Sequence, residues 1–152
     1  MRALAATLSA LHLLALAVGL PAIFQRARAL GGTLDRDGLA RVFAADNLWG
    51  MAAILWILTG PARAFGPFEK GTAFYLSSWL FYLKLGLFAA IFALEVPAMV
   101  GLIRWRMALR RGEAPELGAA RLYRRLSHVE FGIVIVIVFV AAFMARGFGM
   151  RR

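Results

Sequence analysis

The sequence has no cysteine, only two histidines and only eight acidic residues among 152. The absence of cysteine excludes disulfides, thiolate nucleophiles and cysteine-ligated metal centres. With only six methionines as well, the chain is poor in the soft sulfur ligands that copper prefers. Charged residues make up just 17% of the chain, which is too few for the surface of a large soluble domain.

Apolar residues make up 62% of the chain, and the mean hydropathy of the chain is +0.73. They fall into four runs, at about residues 3–24, 42–59, 72–106 and 126–146. About 20 apolar residues suffice for a helix to cross the hydrocarbon core of a bilayer. The sequence therefore predicts an all-α integral membrane four-helix bundle, a single transmembrane domain over residues 1–152, whose first helix is retained rather than cleaved.

The formal net charge of +10 reflects membrane topology and not nucleic-acid binding, since the arginines lie in short segments between the apolar runs. The segment from Gln25 to Arg41 is predicted as a loop, and a second basic segment extends from Arg104 to Arg125. These two segments carry most of the lysines and arginines, so the positive-inside rule assigns them to the cytoplasm. We expect a multi-pass protein of the bacterial inner membrane with both termini periplasmic and with lipid as its surroundings.

The third apolar run carries Lys84 and Glu95 inside it. Eleven residues are about three helical turns, so the two side chains share one helix face about 16 Å apart along the axis. An ionisable group at membrane depth is costly and usually faces a bundle interior or a cavity. Lys84 and Glu95 are therefore the candidate catalytic residues.

His12 lies near the middle of the first run, beside a stripe of small residues that either permits close helix contact or leaves room for a flat ligand (Ala5, Ser9, Ala15, Gly19 and Ala22). A neutral imidazole in such surroundings suits the axial position of haem iron. The alternative is a buried histidine that is hydrogen-bonded across helices to a serine or to Asp46.

Three further residues lie near the opposite end of the bundle. Arg63 and Lys70 could bind haem propionates or act as interfacial anchors, and Tyr75 belongs to an aromatic group at the interface. We include all three among the candidate cofactor-binding residues. Lys84 could likewise meet a propionate or a quinone oxygen.

His128 and Glu130 lie at the predicted start of the fourth span, where they form either a proton-exchange site or a pair solvated by headgroups. Asp46 is predicted near a helix start, where the dipole favours an acid. Asp46, Glu95, Glu130 and Arg104 could gather near the cytoplasmic boundary. His128 is a candidate cofactor-binding residue, although pairing it with His12 on one iron is geometrically strained.

The chain resembles an uncharacterised bacterial four-helix membrane family, a domain of unknown function, along most of its length. The resemblance is carried by Asp46, Trp49-Gly50, Gly60, Arg63, Lys70-Gly71, Phe74-Tyr75-Leu76, Phe81, Lys84, Leu87-Phe88, Pro97, Arg104-Trp105-Arg106, Ala141 and Met144-Ala145-Arg146-Gly147. That family is similar, more weakly, to the copper-resistance D and HemJ-type protoporphyrinogen oxidase group. The stretch from Trp79 to Leu85 resembles the Trp-Leu-His-x-Lys-Leu pattern of HemJ-type proteins, but lacks its histidine.

The resemblance implies haem b, a functional histidine in the first helix and a functional lysine, which here correspond to His12 and Lys84. The leading hypothesis is accordingly a haem b protein that exchanges electrons with a membrane quinone such as ubiquinone. We expect a homodimer on grounds of size, because four helices cover a small cofactor only thinly and a second protomer would cover the exposed flank. In this hypothesis, His12 binds the iron. The alternatives are a HemJ-like oxidase, an ion transporter whose polar path uses Asp46, Lys84, Glu95 and Glu130, and a structural membrane protein.

Overall fold

A computed structural model describes residues 2–66 and 71–150 of the chain. Within these ranges the chain is helical throughout, with short connections and one isolated bridge between Ser78 and Met150. The α-helices are α1 (Arg2–Ala29), α2 (Arg36–Phe65), the short α3 (Thr72–Leu76), α4 (Trp79–Arg110) and α5 (Ala120–Ala145), which a 3₁₀ turn at Leu117–Ala119 precedes. Four of them are long and apolar enough to cross a membrane. The predicted all-α membrane bundle is confirmed.

The helices extend beyond the apolar runs, and the prediction of a loop from Gln25 to Arg41 is wrong over most of that segment. Helix α1 continues through Arg26 to Ala29, because arginine is a good helix former and the chain only meets glycines at residues 31 and 32. Helix α2 begins early because Asp35 caps it: its carboxylate accepts a hydrogen bond from the amide of Gly38 at 2.8 Å. The loop is confined to residues 30–35.

The third span is interrupted at Ser77 and Ser78, which separate α3 from α4. The end of the chain supplies hydrogen bonds at this break. The amide of Trp79 donates to the carbonyl of Gly149 at 3.0 Å, and Ser78 lies opposite Met150. The backbone groups that the break exposes are thus partly satisfied by the C-terminal segment, as irregular structure at the end of a span requires.

Helix α1 packs against α2 and α5, and α5 packs against α4. The small-residue stripe of α1 serves close packing: a Cβ built on Gly19 would lie 2.8 Å from the ring of Trp56 and 2.9 Å from Cβ of Ala52. Helices α2 and α4 face one another across aromatic side chains, with the rings of Trp56 and Phe88 edge-on at 6.4 Å. This arrangement favours helix contact over the alternative of ligand space beside the stripe.

Two layers of buried apolar side chains form the core of the bundle between its middle and the loop at residues 30–35. The central layer contains Ala15, Ala22, Ile23, Trp49, Ala52, Trp56, Ile91 and Val134. The loop-side layer, nearer the loop at residues 30–35, contains Leu30, Leu39, Val42, Ala98, Leu102, Trp105, Ala120 and Tyr123. On each of the four long helices, one ionisable residue that is buried or half-buried lies between these layers.

Candidate functional site

The guanidinium of Arg26 lies at the centre of a polar level between the two layers and has no exposed area. Nη1 donates to Asp46 Oδ1 at 2.8 Å and to Glu95 Oε1 at 2.7 Å. Nη2 donates to Glu95 Oε2 at 2.7 Å and to Glu130 Oε2 at 2.8 Å. Nε donates to the hydroxyl of Ser127 at 3.0 Å. All five N–H donors that an arginine possesses are therefore used.

We call Arg26, Asp46, Glu95 and Glu130 the Arg26 cluster. One residue comes from each of α1, α2, α4 and α5, and apolar residues of the two layers flank each of them along its own helix. In such surroundings charge–charge attraction is weakly screened, but an unpaired charge is very unfavourable. The folded bundle must therefore bring the four helices together at this level.

Glu130 is the member of the cluster whose carboxylate is only partly hydrogen-bonded. Its side chain is completely buried, yet Oε1 has no hydrogen-bond partner among the residues that the structure describes. Buried carboxylate oxygens are rarely left in this state, and each such case calls for a proton, a water molecule or a function to explain it.

A second arginine reaches the cluster from its edge. Arg106 donates from Nη2 to Asp46 Oδ2 at 2.8 Å and to Asn47 Oδ1 at 3.0 Å, and its guanidinium lies 4.8 Å from the ring centre of Phe43. Asp46 thus bridges two arginines through its two oxygens. Two guanidinium groups then face three carboxylates, which leaves one negative charge in excess when all are ionised.

Glu95 also borders a small cleft between α2 and α4. The indole N–H of Trp49 donates to Glu95 Oε2 at 3.0 Å, which adds a sixth hydrogen bond to the carboxylates of the cluster. The cleft has a volume of about 30 Å³ and is otherwise lined by apolar and aromatic side chains of the two helices. A space of that size holds about one water molecule.

The structure brings together three of the four residues expected to gather near the cytoplasmic boundary: Asp46, Glu95 and Glu130. Arg104, the fourth, is exposed, and the arginines that join the acids are Arg26 and Arg106. Asp46 lies ten residues into α2 and Glu130 ten residues into α5, about 15 Å from the helix starts. The prediction that they lie at helix starts is therefore wrong, because both helices begin earlier than their apolar runs.

His12 is half-buried on α1 and faces α2. Its Nδ1 lies 2.8 Å from the hydroxyl oxygen of Thr59, which itself donates to the carbonyl of Leu55 at 2.6 Å. With the hydroxyl hydrogen directed to Leu55, the Thr59 oxygen accepts from Nδ1 in the tautomer of His12 that carries the imidazole proton there. This is the interhelical hydrogen bond that the sequence left open, with a threonine in place of a serine or Asp46.

The other predicted site residues within the described ranges lie apart from the cluster. Lys84 is half-buried on α4, Arg63 is half-buried near the end of α2, and Tyr75 is buried against Phe81 at a ring distance of 5.5 Å. Lys70 lies outside the described residues. His128 is exposed on α5, whereas Glu130, two residues on, is buried, so the structure does not bring these two together as a proton-exchange pair.

Sequence reasoning missed Arg26 and Arg106, although the sequence contained a signal for each. The small-residue stripe of α1 recurs every three or four residues up to Ala22, and one further step of four reaches Arg26. Arg106 follows Glu95 by the same eleven residues that separate Lys84 from Glu95, and so lies on the same face of α4. Both positions were passed over because arginines beside an apolar run are ordinarily topology signals.

The larger cavity lies elsewhere, as an open groove of about 400 Å³ at the far ends of α4 and α5. Its lining is almost entirely apolar, with Trp79, Phe139, Phe143 and Phe148 among the residues around it. None of the predicted site residues that the structure describes lines it. Among residues 2–66 and 71–150 there is also no group of three or more metal-binding side chains arranged to hold an ion.

Four apolar spanning helices around a buried ion cluster define a multi-pass helical membrane protein. The chain belongs to the DUF2214 family, described as predicted membrane protein, whose match covers residues 4–149. The predicted membership in an uncharacterised membrane family is thereby confirmed. No curated protein and no solved structure is significantly similar to the chain.

Proposed function

We propose that this protein moves protons across the membrane and that the Arg26 cluster is its proton-binding centre. The observation that carries the proposal is Glu130, a fully buried carboxylate with one oxygen that has no hydrogen-bond partner among the described residues, in a cluster that has one negative charge in excess when Arg106 is counted with it. A single proton on the cluster would balance that charge. Ionisable residues at membrane depth commonly belong to proton relays and transport pathways.

The geometry favours a proton over a metal cation. Arg26 occupies the centre of the three carboxylates and uses every donor, so a metal ion would meet a positive charge where its ligands would have to converge. A proton needs only one carboxylate oxygen and no cavity. Asp46, Glu95 and Glu130 were also members of the polar path in the transporter alternative.

A purely structural role is the main competing explanation, because a buried ion cluster can also fix which helices pack together. Balanced pairing would serve that role, whereas this cluster contains more carboxylates than arginines. The experiment is to reconstitute the protein in liposomes that enclose a pH-sensitive dye and to impose a potassium diffusion potential. We expect proton flux from the wild type and from Glu116→Gln, an exposed control, and none from Glu130→Gln. Absence of flux from the wild type, or equal flux from both variants, would reject the proposal.

Haem b is a second candidate, and the orientation of His12 favours it. In the tautomer in which Nδ1 donates to Thr59, the lone pair of the ring is on Nε2, and a hydrogen bond from the other ring nitrogen is what orients a metal-binding histidine. Neither of the two cavities described above is lined by His12. The reduced-minus-oxidised absorption spectrum of protein purified from haem-replete cells tests this candidate. Soret and α bands that His12→Ala abolishes would support it, and a colourless protein would reject it.

The remaining parts of the electron-transfer hypothesis stay predictions that depend on that spectrum. They are the distant similarity to HemJ-type oxidases, the quinone, and the roles of Lys84, Arg63, Lys70, Tyr75 and His128 around the cofactor. If the haem bands appear, oxidation of a short-chain quinol by the purified protein is the next measurement. Loss of that activity in Lys84→Met with the spectrum intact would support a role for Lys84 beside the quinone.

The proposed location is the bacterial inner membrane, with the loop at residues 30–35 in the cytoplasm and both termini in the periplasm. A homodimer remains part of the proposal. Glu95 keeps 18% of its side chain exposed, and a second copy could shield it from lipid. A reporter that is active only in the cytoplasm, fused after Arg152, should be inactive. Activity there would reverse the orientation.

A further inference from the structure

We infer that protons reach Glu130 through a relay of carboxylates that begins at Asp46 and continues through Glu95. Arg106 limits the access of protons to Asp46. This inference rests on the proposed function and specifies how its centre connects with water. It assigns roles to Asp46 and Arg106 that follow from the geometry alone.

The cluster has an exposed edge and a closed interior. The side chains of Arg106, Glu95 and Asp46 are 27%, 18% and 12% exposed, whereas those of Arg26 and Glu130 are not exposed at all. Glu95 borders the apolar and aromatic cleft between α2 and α4, whereas Asp46 lies beside the polar side chain of Arg106. Asn47, which accepts a hydrogen bond from Arg106, is exposed as well. Water therefore meets the cluster at Asp46 and Arg106, while Glu130 lies at the closed end.

The carboxylates are ordered around the guanidinium of Arg26. Asp46 and Glu95 each accept from Nη1, and Glu95 and Glu130 each accept from Nη2. Two oxygens bonded to one nitrogen are near neighbours, so Glu95 lies between the other two acids. Arginine stays protonated in proteins and cannot pass a proton on. A proton taken from water by Asp46 would thus move to Glu95 and then to Glu130, while Arg26 keeps its charge and holds the three acids in place.

In this conformation apolar side chains close the route from the cluster towards the opposite end of the bundle. On the far side of the cluster the aliphatic and aromatic side chains of the central layer pack together. The next polar contact on α1 is that between His12 and Thr59, and fourteen residues of helix, about 21 Å, separate His12 from Arg26. The structure is therefore the conformation of the carrier that opens towards the loop at residues 30–35.

Arg106 is a positioning residue in this relay. It binds Asp46 Oδ2, the oxygen that does not face Arg26, and its guanidinium is held in turn by Asn47 and the ring of Phe43. A positive charge at this point covers the outer oxygen of Asp46 and repels protons that approach it. Removal of that charge should speed the first step, whereas removal of the Asp46 carboxylate should slow it.

The first test measures hydrogen–deuterium exchange of the Glu130 carboxyl group by infrared spectroscopy on protein in lipid nanodiscs. The band of protonated Glu130 is identified as the one that Glu130→Gln removes. Asp46→Asn should slow its exchange at least about tenfold, as expected when a proton-transfer group is lost. Arg106→Gln should speed it. The controls Asp37→Asn and Arg104→Gln, exposed residues on the same two helices, should leave the rate unchanged.

The outcomes separate the two proposals. If no band depends on Glu130, the proton-binding centre itself is rejected. If the band is present but its exchange rate is the same in Asp46→Asn as in the wild type, only the relay is rejected.

A second measurement does not require the cluster variants to fold. The chain has no cysteine, so Asn47→Cys and Ile54→Cys each introduce a single thiol, two helical turns apart on the exposed face of α2. A membrane-impermeant thiol reagent should label residue 47 and not residue 54. If residue 47 is not labelled from either side of the membrane, the inference that water reaches the cluster at Asp46 and Arg106 is wrong.

Discussion

Arg26 Nη2 lies 2.8 Å from Glu130 Oε2, although the two residues are 104 positions apart in the sequence and neither side chain reaches solvent. The contact joins α1, the first span, to α5, the last. Because lipid offers no hydrophobic force to hold apolar helices together, polar contacts and close packing must do so. The Arg26 cluster is therefore both the proposed proton-binding centre and a tie between the ends of the chain.

The first prediction concerns the shape of the guanidinium. Arg26→Lys keeps the charge but replaces five donors in a planar fork by three around one nitrogen, so it cannot reach all three acids and Ser127 at once. We expect Arg26→Ala to destabilise the bundle by about 3 to 5 kcal/mol and Arg26→Lys by a smaller amount. Unfolding in mixed micelles of dodecyl maltoside and SDS, followed by circular dichroism, measures both. Arg28→Lys is the matched control, since Arg28 lies two residues further along the same helix and is exposed.

The second prediction concerns the contact of α1 with α2. In Gly19→Ala the new methyl group would lie 2.8 Å from the ring of Trp56, which rests on the backbone of α1 at this point. The helices must separate, and we expect a loss of about 1 to 3 kcal/mol in the same unfolding assay. Gly50→Ala adds the same methyl group where no atom lies within 4 Å, and so should be neutral or stabilising. Equal effects of the two substitutions would contradict the close packing.

Much of the fold could be predicted from hydropathy, because a spanning helix must satisfy its backbone internally and needs a long apolar run to lie in lipid. The helix ends could not be predicted in this way. Helix α1 continues beyond its apolar run to a glycine pair, and α2 begins before its apolar run, at the cap formed by Asp35. The depth of Glu95 in its apolar run predicts that it faces the bundle interior, as the structure shows, whereas hydropathy places Arg26 in a loop. Only the packing of all four helices makes this arginine the partner of three acids.

The third prediction concerns the loop-side layer, where the ring of Tyr123 lies directly against the backbone of Gly101. A methyl group on residue 101 would overlap with the tyrosine hydroxyl and ring, and we expect Gly101→Ala to destabilise the bundle by about 1 to 3 kcal/mol. Tyr123→Ala alone should also destabilise it by leaving a cavity. In the double variant the two effects should not add, because the small side chain removes the clash. Additive effects would show that the two residues do not meet.

The last prediction separates the structural from the cofactor role of His12. Thr59→Val removes the hydroxyl that accepts from Nδ1, and a hydrogen bond between spanning helices contributes only about 0.6 kcal/mol on average. We therefore expect a small loss of stability, whereas Thr7→Val, whose hydroxyl bonds within its own exposed helix turn, should have less effect. If His12 binds haem, Thr59→Val should also shift the midpoint potential of the haem, because it alters the basicity of the ring. A change in stability with no chromophore in the wild type would leave His12 as a helix contact and concentrate the function on the Arg26 cluster.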